Sequence, residues 1–493
     1  MYYLLKLFPE ITIKSRSVRR QMTRCLVGNV RNVLRPLGED VQVRGGWDAL
    51  AVKVPDGMTP HWLHQLVARL TRTPGIHEVQ AVEDLPFLSF DETARHLLPV
   101  WQDAIEDRCF RVTVKRRGHH DFTSEDLERH LGQALRDAVP SARVNLKRPD
   151  VEVRVDVADD RLRLVRQRWP GLGGYPLGVQ GQSVTLISGG YDSPVAAWKM
   201  MRRGIKNHFM FFDLGGVDHE AAVREVAHHL WETYGSSHRV HFFSVPFAGV
   251  VAEMQRSIPD GLIGVVLKRM MVRAASRIAD RSRIPMLVTG DAIAQVSSQS
   301  LTNLALIDSV SDLPILRPLI AEDKQDIINM ARQIGTARFA EVMPEVCGAI
   351  SQRPNTQAQR SKVLAAEEAF DFASLDIAIE NSTIIRSDRL MEHLPRREPE
   401  LHVIKGVQAL AEESAVSVID IRPPVERESA PLTLPETECL LIPFYDLQAT
   451  AGTLPDDRRY LLYCNQGMMS RMQALHLHDR GLTHFGVYRE LSE

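Results

Sequence analysis

Apolar and polar residues alternate along several short stretches of the first 168 residues, as they do in strands with one buried face. Residues 110–115 and 151–157 carry this two-residue period, and the mostly apolar run at 3–8 is also typical of a strand. Val18, Met22, Cys25 and Leu26 recur at helical spacing, which predicts a helix over 17–34. Residues 41–43 and 50–54 form a predicted hairpin pair. The pattern favours an α+β unit at 1–60, followed by a second unit of helices and strands at 61–168.

The period changes after a glycine-rich stretch at 171–178. Pro176 occupies the position of the third glycine in the dinucleotide-binding fingerprint, so we interpret this stretch as a linker. Short apolar strands at 183–187, 209–212, 240–245 and 286–289 then alternate with helices, which predicts a doubly wound parallel α/β domain over 169–356. A polar, Glu-rich stretch at 357–411 is interpreted as a linker to a smaller α/β domain at 412–493.

Composition and charge narrow the class of protein. The chain has 493 residues, 44% hydrophobic and 25% charged, as expected for a soluble multidomain protein. Five scattered cysteines without a Cys-x-x-Cys pair exclude a disulfide scaffold and a structural zinc site. No run of 18 apolar residues and no signal peptide occur, so we expect a cytoplasmic enzyme without a membrane partner.

Basic residues are concentrated at the front of the chain. Residues 1–36 hold eight Lys or Arg and one acidic residue, whereas 401–493 hold eight basic and thirteen acidic residues. Such asymmetry predicts that the N-terminal part meets a polyanion. A solvated basic face without a partner is the alternative that charge alone leaves open.

The most specific motif is the sequence Ser-Gly-Gly-Tyr-Asp-Ser at 188–193, between an apolar strand and a helix. The two glycines allow the backbone to approach an anion, and Pro194 suits the first turn of a helix. Ser188 and Ser193 add hydroxyl donors, and Asp192 can hold Mg²⁺. The motif resembles the PP-loop of ATP pyrophosphatases, which adenylate a substrate and release pyrophosphate. An ordinary strand-to-helix turn is the structural alternative.

A second motif places Cys464 at the end of an apolar strand, 460–463, and ahead of a helix. Loop N–H groups, a helix N-terminus and Arg471 would stabilise its thiolate, making it a nucleophile or persulfide carrier. The strand, loop and cysteine resemble a rhodanese domain, although a buried, inert cysteine is the alternative. Cys347 lies in a loop-like stretch between Pro344 and Gly348, where a cysteine is free to form transient disulfides.

Further polar groups fall where strands of the α/β domain should end. Gly290 follows the strand at 286–289, and a polar loop occupies 295–300. Lys324 stands near a helix start, where helix stability needs no cation, so a phosphate-neutralising role is plausible. Arg269 and Arg273 share a helix face that we interpret as solvated or facing RNA.

A basic turn stands between the second unit's first strand and a helix that begins near residue 124. Its residues are Lys115, Arg116, Arg117 and Gly118, with Phe122 close behind. Such a turn suits phosphate and base contacts. A merely solvated turn is equally compatible with these residues.

Taken in order, these motifs resemble the bacterial tRNA 4-thiouridine synthase family over essentially the whole chain. The opening residues 7–15 (Leu-Phe-Pro-Glu-Ile-Thr-Ile-Lys-Ser) resemble the ferredoxin-like N-terminal domain of that family. The resemblance implies an α/β multidomain fold. Its parts are a ferredoxin-like domain at 1–60, an RNA-binding THUMP domain at 61–168, a PP-loop domain at 169–356, a linker at 357–411 and a rhodanese domain at 412–493.

The resemblance also implies site residues. Adenylation would use ATP and Mg²⁺, with Asp192 as the metal ligand and Lys324 balancing charge. Cys464 would carry a persulfide and Cys347 would close a disulfide with it. The tRNA would contact Lys115, Arg116 and Arg117. The remaining ATP contacts would be Leu186, Ile187, Ser188, Gly189, Gly190, Ser193, Lys268, Gly290 and Gln299.

The implied reaction transfers persulfide sulfur to the uridine at position 8 of tRNA through an adenylated intermediate. A cysteine desulfurase would supply the sulfur, and a sulfur carrier protein of thiazole synthesis would be a second acceptor. A homodimer is left open. Two rivals also stay open: a PP-loop sulfurtransferase or ligase acting on a small molecule, and a non-catalytic RNA-binding protein with a relic nucleotide fold.

Overall fold

The computed structural model describes residues 2–38, 40–214, 217–341, 355–392, 401–413, 415–422, 424–434, 437–464 and 468–490. The chain divides into two compact units. The first contains Met1–Gln180 with Arg202–Gly204 and Ser236–His238, and the second contains Gly181–Met201, Ile205–Gly235 and Arg239–Glu493. Within the described ranges, no helix combines the length and apolar character needed to cross a membrane.

The first unit is built on one eight-stranded sheet. Its strands run in the order β2-β3-β1-β4-β8-β7-β5-β6. The predicted hairpin is confirmed, because β2 and β3 pair antiparallel. The strands are β1 (Tyr2–Leu7), β2 (Gln42–Gly45), β3 (Ala49–Lys53), β4 (Ile76–Pro86), β5 (Cys109–Arg117), β6 (Arg143–Val144), β7 (Val151–Ala158) and β8 (Arg161–Pro170), and the helices are α1 (Pro9–Thr12), α2 (Arg16–Leu34), α3 (Pro60–Thr71), α4 (Phe90–Ile105) and α5 (Ser124–Ala138).

This unit contains two hydrophobic cores. Their composition shows that the first domain does not end at residue 60, where the sequence pattern predicts its boundary. Leu66 of α3 and Val79 of β4 are buried in the same core as Leu5 and Leu26. The first β-α-β-β-α-β element therefore extends through β4, because α2 and α3 together cover the apolar face of its strands. The second core lies among α4, α5, β5, β7 and β8. The stretch 171–178 also differs from the predicted linker, since Tyr175 and Leu177 are buried.

The second unit begins with a six-stranded sheet in the order β13-β12-β9-β10-β11-β14. Its strands are parallel except β14, which pairs antiparallel with β11. The strands are β9 (Gln182–Leu186), β10 (Lys206–Asp213), β11 (His241–Pro246), β12 (Leu287–Val288), β13 (Ile315–Leu316) and β14 (Thr383–Arg386), and the helices are α6 (Asp192–Arg202), α7 (Val217–Leu230), α8 (Ala248–Ser257), α9 (Asp260–Arg281), α10 (Leu301–Asp308), α11 (Lys324–Ile334), α12 (Ala337–Ala340), α13 (Arg360–Glu368) and α14 (Ala373–Glu380).

The predicted doubly wound fold is confirmed, and its topology locates a ligand crevice. The strand order reverses at β9, which lies between β12 and β10. Ligands of open α/β sheets bind beyond the carboxyl ends of strands at such a reversal. The loops that follow β9 and β12 are therefore the ones to examine for a site.

A five-stranded parallel sheet closes the chain, in the order β15-β19-β18-β16-β17. The C-terminal region is therefore α/β, as its pattern predicts. Its strands are β15 (Val403–Lys405), β16 (Val416–Asp420), β17 (Cys439–Leu441), β18 (Arg459–Tyr463) and β19 (Phe485–Arg489), and its helices are α15 (Val407–Ala411), α16 (Pro424–Ser429), α17 (Phe444–Thr450) and α18 (Met468–Asp479).

Much of the predicted linker at 357–411 is folded instead. It supplies α13, α14 and β14, and Val363, Phe370 and Leu375 are buried in the core of the second unit's first sheet. Apolar residues are about as frequent in this stretch as in the rest of the chain, although they are interspersed with glutamates. Several of them face the core, which an argument from Glu content does not detect.

Candidate functional site

The loop after β9 is closed by hydrogen bonds between its two serines. The Ser188 backbone N–H donates to Ser193 Oγ at 2.8 Å, and the two hydroxyl oxygens lie 2.9 Å apart. Helix α6 begins at Asp192, with Pro194 in its first turn. The loop therefore leads directly into a helix N-terminus, whose free N–H groups and dipole favour an anion.

The end of β12 packs against this loop through a glycine. A Cβ atom added at Gly290 would lie 2.6 Å from the Ser193 nitrogen and 2.8 Å from the carbonyl carbon of Asp192. Any side chain at 290 would therefore displace the PP-loop backbone. The predicted ligand-binding residues Ser193, Asp192 and Gly290 are thus brought together at the crevice.

Asp291 organises the neighbouring side chains. Its buried carboxylate accepts hydrogen bonds from Lys268 Nζ at 2.6 Å, Thr289 Oγ1 at 2.7 Å, Gln299 Nε2 at 3.2 Å and Arg317 Nε at 3.3 Å. Burial by itself would raise the pKa of Asp291, but the charge of Lys268 and these hydrogen bonds hold that pKa well below its ordinary value. Lys268 and Gln299 therefore meet at one ionised carboxylate beside Gly290.

Lys324 reaches the PP-loop from the first residue of α11. Its Nζ lies 2.8 and 3.1 Å from the two carboxylate oxygens of Asp192, and 3.5 Å from Gln295 Oε1. It also lies 5.8 Å from the centre of the Tyr191 ring. The arrangement puts a partly exposed positive charge beside an anion-binding loop.

This donor set fits a nucleotide triphosphate with Mg²⁺. Loop N–H groups, two hydroxyls and two ammonium groups suit phosphate oxygens. Mg²⁺ needs only one or two carboxylates besides phosphate oxygens and water, and Asp192 is a carboxylate with an exposed edge. The described part of the chain holds no group of three or more His, Cys, Asp or Glu side chains that could together hold a metal ion.

Cys464 follows β18, and its sulfur lies at the N-terminus of α18. The Ser470 backbone N–H donates to Cys464 Sγ at 3.3 Å, and the Ser470 hydroxyl lies 3.5 Å away. Ser470 is fully buried, whereas Cys464 is partly exposed. The predicted location of this thiol at a helix N-terminus is confirmed. Cys347 lies outside the described residues.

The predicted RNA-binding loop belongs to the first unit. Lys115 and Arg117 are exposed at the end of β5. The Arg116 guanidinium lies 5.6 Å from the centre of the Phe122 ring and donates to the His120 carbonyl at 3.2 Å. Arg116 is thereby fixed, whereas its two neighbours are available for a ligand. The nucleotide-site residues all belong to the second unit.

Two site residues escaped the sequence interpretation. The sequence pattern assigns no role in the site to Asp291 or to Arg317. Arg317 is largely buried and bridges Asp291 to Asp308, with its Nη1 2.8 Å from Asp308 Oδ2. The signal for Asp291 is its place next to Gly290, just beyond the carboxyl end of β12. No local signal marked Arg317.

Family models match three parts of the chain. The ThiI ferredoxin-like domain matches residues 3–79, the THUMP domain matches 90–165, and the family described as Thiamine biosynthesis protein (ThiI) matches 178–372. The first range agrees with the core that extends through β4. Fold and site together define a class of protein in which a THUMP module precedes a PP-loop nucleotide-binding domain.

Curated relatives and a solved structure extend this match. The chain is 48% identical to the tRNA sulfurtransferase of Edwardsiella ictaluri and 46% identical to that of Klebsiella pneumoniae, covering 99% of this chain and all of each relative. A crystal structure of a 4-thiouridine synthetase–RNA complex with bound ATP has the same fold. The match has a TM-score of 0.69 at 24% identity, over 78% of this chain and 99% of that one. The chain belongs to the tRNA sulfurtransferase family.

Proposed function

We propose that this protein is a tRNA uridine 4-sulfurtransferase. It uses ATP to activate the uridine at position 8 of tRNA and replaces the O4 oxygen with sulfur, giving 4-thiouridine. The observation that carries the proposal is the single crevice that holds the closed PP-loop, Lys268 and Lys324. It occurs in a chain 48% identical to a tRNA sulfurtransferase.

The PP-loop residues perform the activation. Ser188, Ser193 and the N-terminus of α6 bind the phosphates of ATP, while Lys268 and Lys324 balance their charge. The uridine O4 attacks the α-phosphorus, and pyrophosphate leaves. A Mg²⁺ ion held by Asp192 and phosphate oxygens would supply further charge neutralisation there. Activation turns the C4 oxygen into a good leaving group, AMP.

The C-terminal cysteine delivers the sulfur. A cysteine desulfurase loads Cys464 as a persulfide, and the outer sulfur attacks C4 as AMP departs. Cys347 then attacks Cys464 Sγ, which releases thiouridine and leaves a Cys347–Cys464 disulfide. A dithiol reductant reopens that disulfide. Release of free sulfide onto C4 is the alternative route, with the same final disulfide. The Ser470 N–H beside Cys464 Sγ, at the N-terminus of α18, supports a role for this sulfur as the persulfide carrier.

Three further features belong to the proposal. The thiamine description of the matching family model supports transfer of sulfur from Cys464 to a sulfur carrier protein for thiazole synthesis. We place the reaction in the cytoplasm, where tRNA and ATP occur together.

The THUMP residues Lys115 and Arg117 contribute phosphate contacts to the tRNA.

Mass spectrometry of the tRNA tests the proposal directly. Unmodified tRNA is incubated with the protein, ATP, cysteine and a cysteine desulfurase, and then digested to nucleosides. We expect a uridine in which sulfur replaces oxygen, only when ATP is present. A small-molecule sulfurtransferase would release pyrophosphate without tRNA, and a non-catalytic RNA-binding protein would not catalyse ATP–pyrophosphate exchange. Either result would reject the proposed function.

A further inference from the structure

Helix α2 and its C-terminal turn carry a stripe of exposed arginines. Arg16, Arg20, Arg24, Arg31 and Arg35 are exposed and recur at intervals of four, four, seven and four residues, which keeps them on one face. Among the described residues, none of the five forms a salt bridge. Like charges four residues apart destabilise a helix, so helix stability does not account for the stripe.

An exposed tryptophan stands beside this stripe at the tip of the β2–β3 hairpin. Gly46 makes the tip tight: its N–H donates to the Ala49 carbonyl at 2.9 Å, and a Cβ at 46 would lie 2.7 Å from that oxygen. Trp47 leaves 53% of its surface exposed. The turn therefore holds a large apolar ring in water, next to several cations.

One face of the Trp47 ring is occupied by a buried arginine. Arg19 Cζ lies 4.4 Å from the ring centre. Arg19 is 6% exposed, donates to the carbonyls of Thr12 at 3.0 Å and Trp47 at 2.8 Å, and pairs with Asp48. These bonds fix the guanidinium, which in turn supports the ring in one orientation. The ring is thus a rigid platform with its remaining surface open.

A cleft joins the platform to the arginine stripe. It has a volume of about 370 Å³, and its lining includes Arg20, Thr23, Arg24 and Trp47. Single-stranded nucleic acids are bound by this combination of an aromatic ring for stacking and cations along the backbone path. The excess of arginine without interspersed carboxylates favours a polyanion over a protein surface of mixed charge.

We propose that Trp47 stacks on an unpaired nucleobase of the tRNA while Arg20 and Arg24 bind the adjoining phosphates. This inference rests on the proposed function, because it takes tRNA as the partner. It adds a base-contacting site in the ferredoxin-like part of the first unit. That site is separate in sequence from the Lys115–Arg117 loop.

The test measures binding of the full-length protein to two labelled probes, a single-stranded oligoribonucleotide and a duplex RNA of equal length. For Trp47→Ala we expect single-strand affinity to fall about 5- to 100-fold, with duplex affinity unchanged. Trp47→Phe keeps an aromatic ring and should retain most of the affinity. Arg24→Gln should weaken both probes and lower the salt dependence of binding, whereas Arg256→Gln, in the second unit, should change neither.

Each other outcome has a definite meaning. Wild-type affinity of Trp47→Ala for the single strand would overturn the stacking role, and is also the result expected if this surface docks a protein. Equal losses of Trp47→Ala on both probes, shared by Trp47→Phe, would show a structural role and likewise overturn it. Binding is measured without ATP or sulfur. An unchanged affinity of Trp47→Ala would therefore reject only the stacking site. The proposed function is tested separately, by whether the wild-type protein thiolates tRNA.

Discussion

At the scale of single residues, Asp291 has a role that sequence position alone does not disclose. Its four hydrogen-bond donors come from the residue after β12, from α9, from the loop at 295–300 and from the residue after β13. The carboxylate therefore fixes Lys268 and Gln299, which the proposed function assigns to ATP binding. Removing its charge would release both and leave Arg317 without one of its two counter-ions.

We predict that Asp291→Asn weakens ATP binding and folding together. A buried ion pair that loses one partner typically costs about 3–5 kcal/mol of stability. We expect a correspondingly lower free energy of unfolding in urea and a raised KM for ATP. Asp308→Asn is the matched control, because Asp308 also pairs with Arg317 but is more exposed. A normal KM for ATP in Asp291→Asn would contradict the organising role.

The same residue makes a pH prediction. The folded state holds the pKa of Asp291 below its unfolded value of about 3.9, so its contribution to stability is complete above that pH. The contribution is lost as the pH falls further, toward the lowered pKa. The difference in unfolding free energy between wild type and Asp291→Asn should therefore be constant near neutrality and shrink below about pH 4. Urea unfolding at a series of pH values measures it, and a difference that grows on acidification would be inconsistent with it.

Asp192 gives a second prediction at this scale. Asp192→Asn loses the charge that attracts Lys324 and the one carboxylate offered to Mg²⁺ at the loop. We expect tRNA-dependent pyrophosphate release to fall by about 10²-fold or more, as for other lost electrostatic contacts to a transition state. Persulfide loading of Cys464 should continue. Asp323→Asn, an exposed neighbour of Lys324, is the control, and release near the wild-type rate in Asp192→Asn would reject the assignment.

Local motifs were predictable and dispersed contacts were not. Ser188, Ser193 and Asp192 are contiguous, so the chemistry of a PP-loop is visible in one stretch of sequence. Lys324 is predicted from its position near a helix start, whereas Lys268 is assigned only through the family resemblance, because nothing in its own neighbourhood specifies a phosphate. The central carboxylate of Asp291 has partners up to 26 residues away, and only the packing of the sheet unites them.

At the scale of elements, α9 and α13 show why the predicted linker is folded. Arg269 was interpreted as solvated or facing RNA, but it is 2% exposed. Its Nε and Nη2 donate to the Glu367 carboxylate at 2.5 and 2.8 Å, and Arg273 Nη2 donates to the same group at 3.0 Å. Its Nη1 donates to Ser309 Oγ at 2.9 Å. Helix α13 thus supplies the negative charge of Glu367, which allows the Arg269 guanidinium of α9 to be buried next to α10.

Glu367→Gln tests that element-scale contact. Burial would raise the pKa of Glu367, but Arg269 and Arg273 lower it, so the carboxylate is ionised at neutral pH. The variant leaves a buried guanidinium without its counter-ion, and we expect a loss of about 3–5 kcal/mol in the free energy of unfolding. Glu368→Gln changes an exposed neighbour and should stay within about 0.5 kcal/mol of wild type. Equal stability of the two variants would mean that α13 is only loosely attached.

At the scale of the whole molecule, the two proposed reactive centres have the same local architecture. Ser188 follows β9 and Cys464 follows β18, and each of these is an interior strand with parallel neighbours. Each residue also precedes a helix N-terminus. This strand-loop-helix pattern is local, so the sequence predicts both centres. Domain limits are harder to predict, because α3, β4, α13 and α14 join their cores through contacts distant in the chain. A boundary inferred from composition misses such contacts.

The final prediction follows from the proposed division of work between the two centres, with activation at the PP-loop and sulfur delivery at Cys464. Activation in our proposal needs the PP-loop and not the thiol, so Cys464→Ser should lose thiolation of tRNA while keeping tRNA-dependent pyrophosphate release. Cys439→Ser is the matched control: burial raises the pKa of the Cys439 thiol, which keeps it protonated and a poor nucleophile. It should thiolate normally. Thiolation by Cys464→Ser would exclude Cys464 as the sulfur carrier. Loss of pyrophosphate release in that variant, with Cys439→Ser active, would instead show that the thiol takes part in forming the adenylate, and the two centres would then have to act as one.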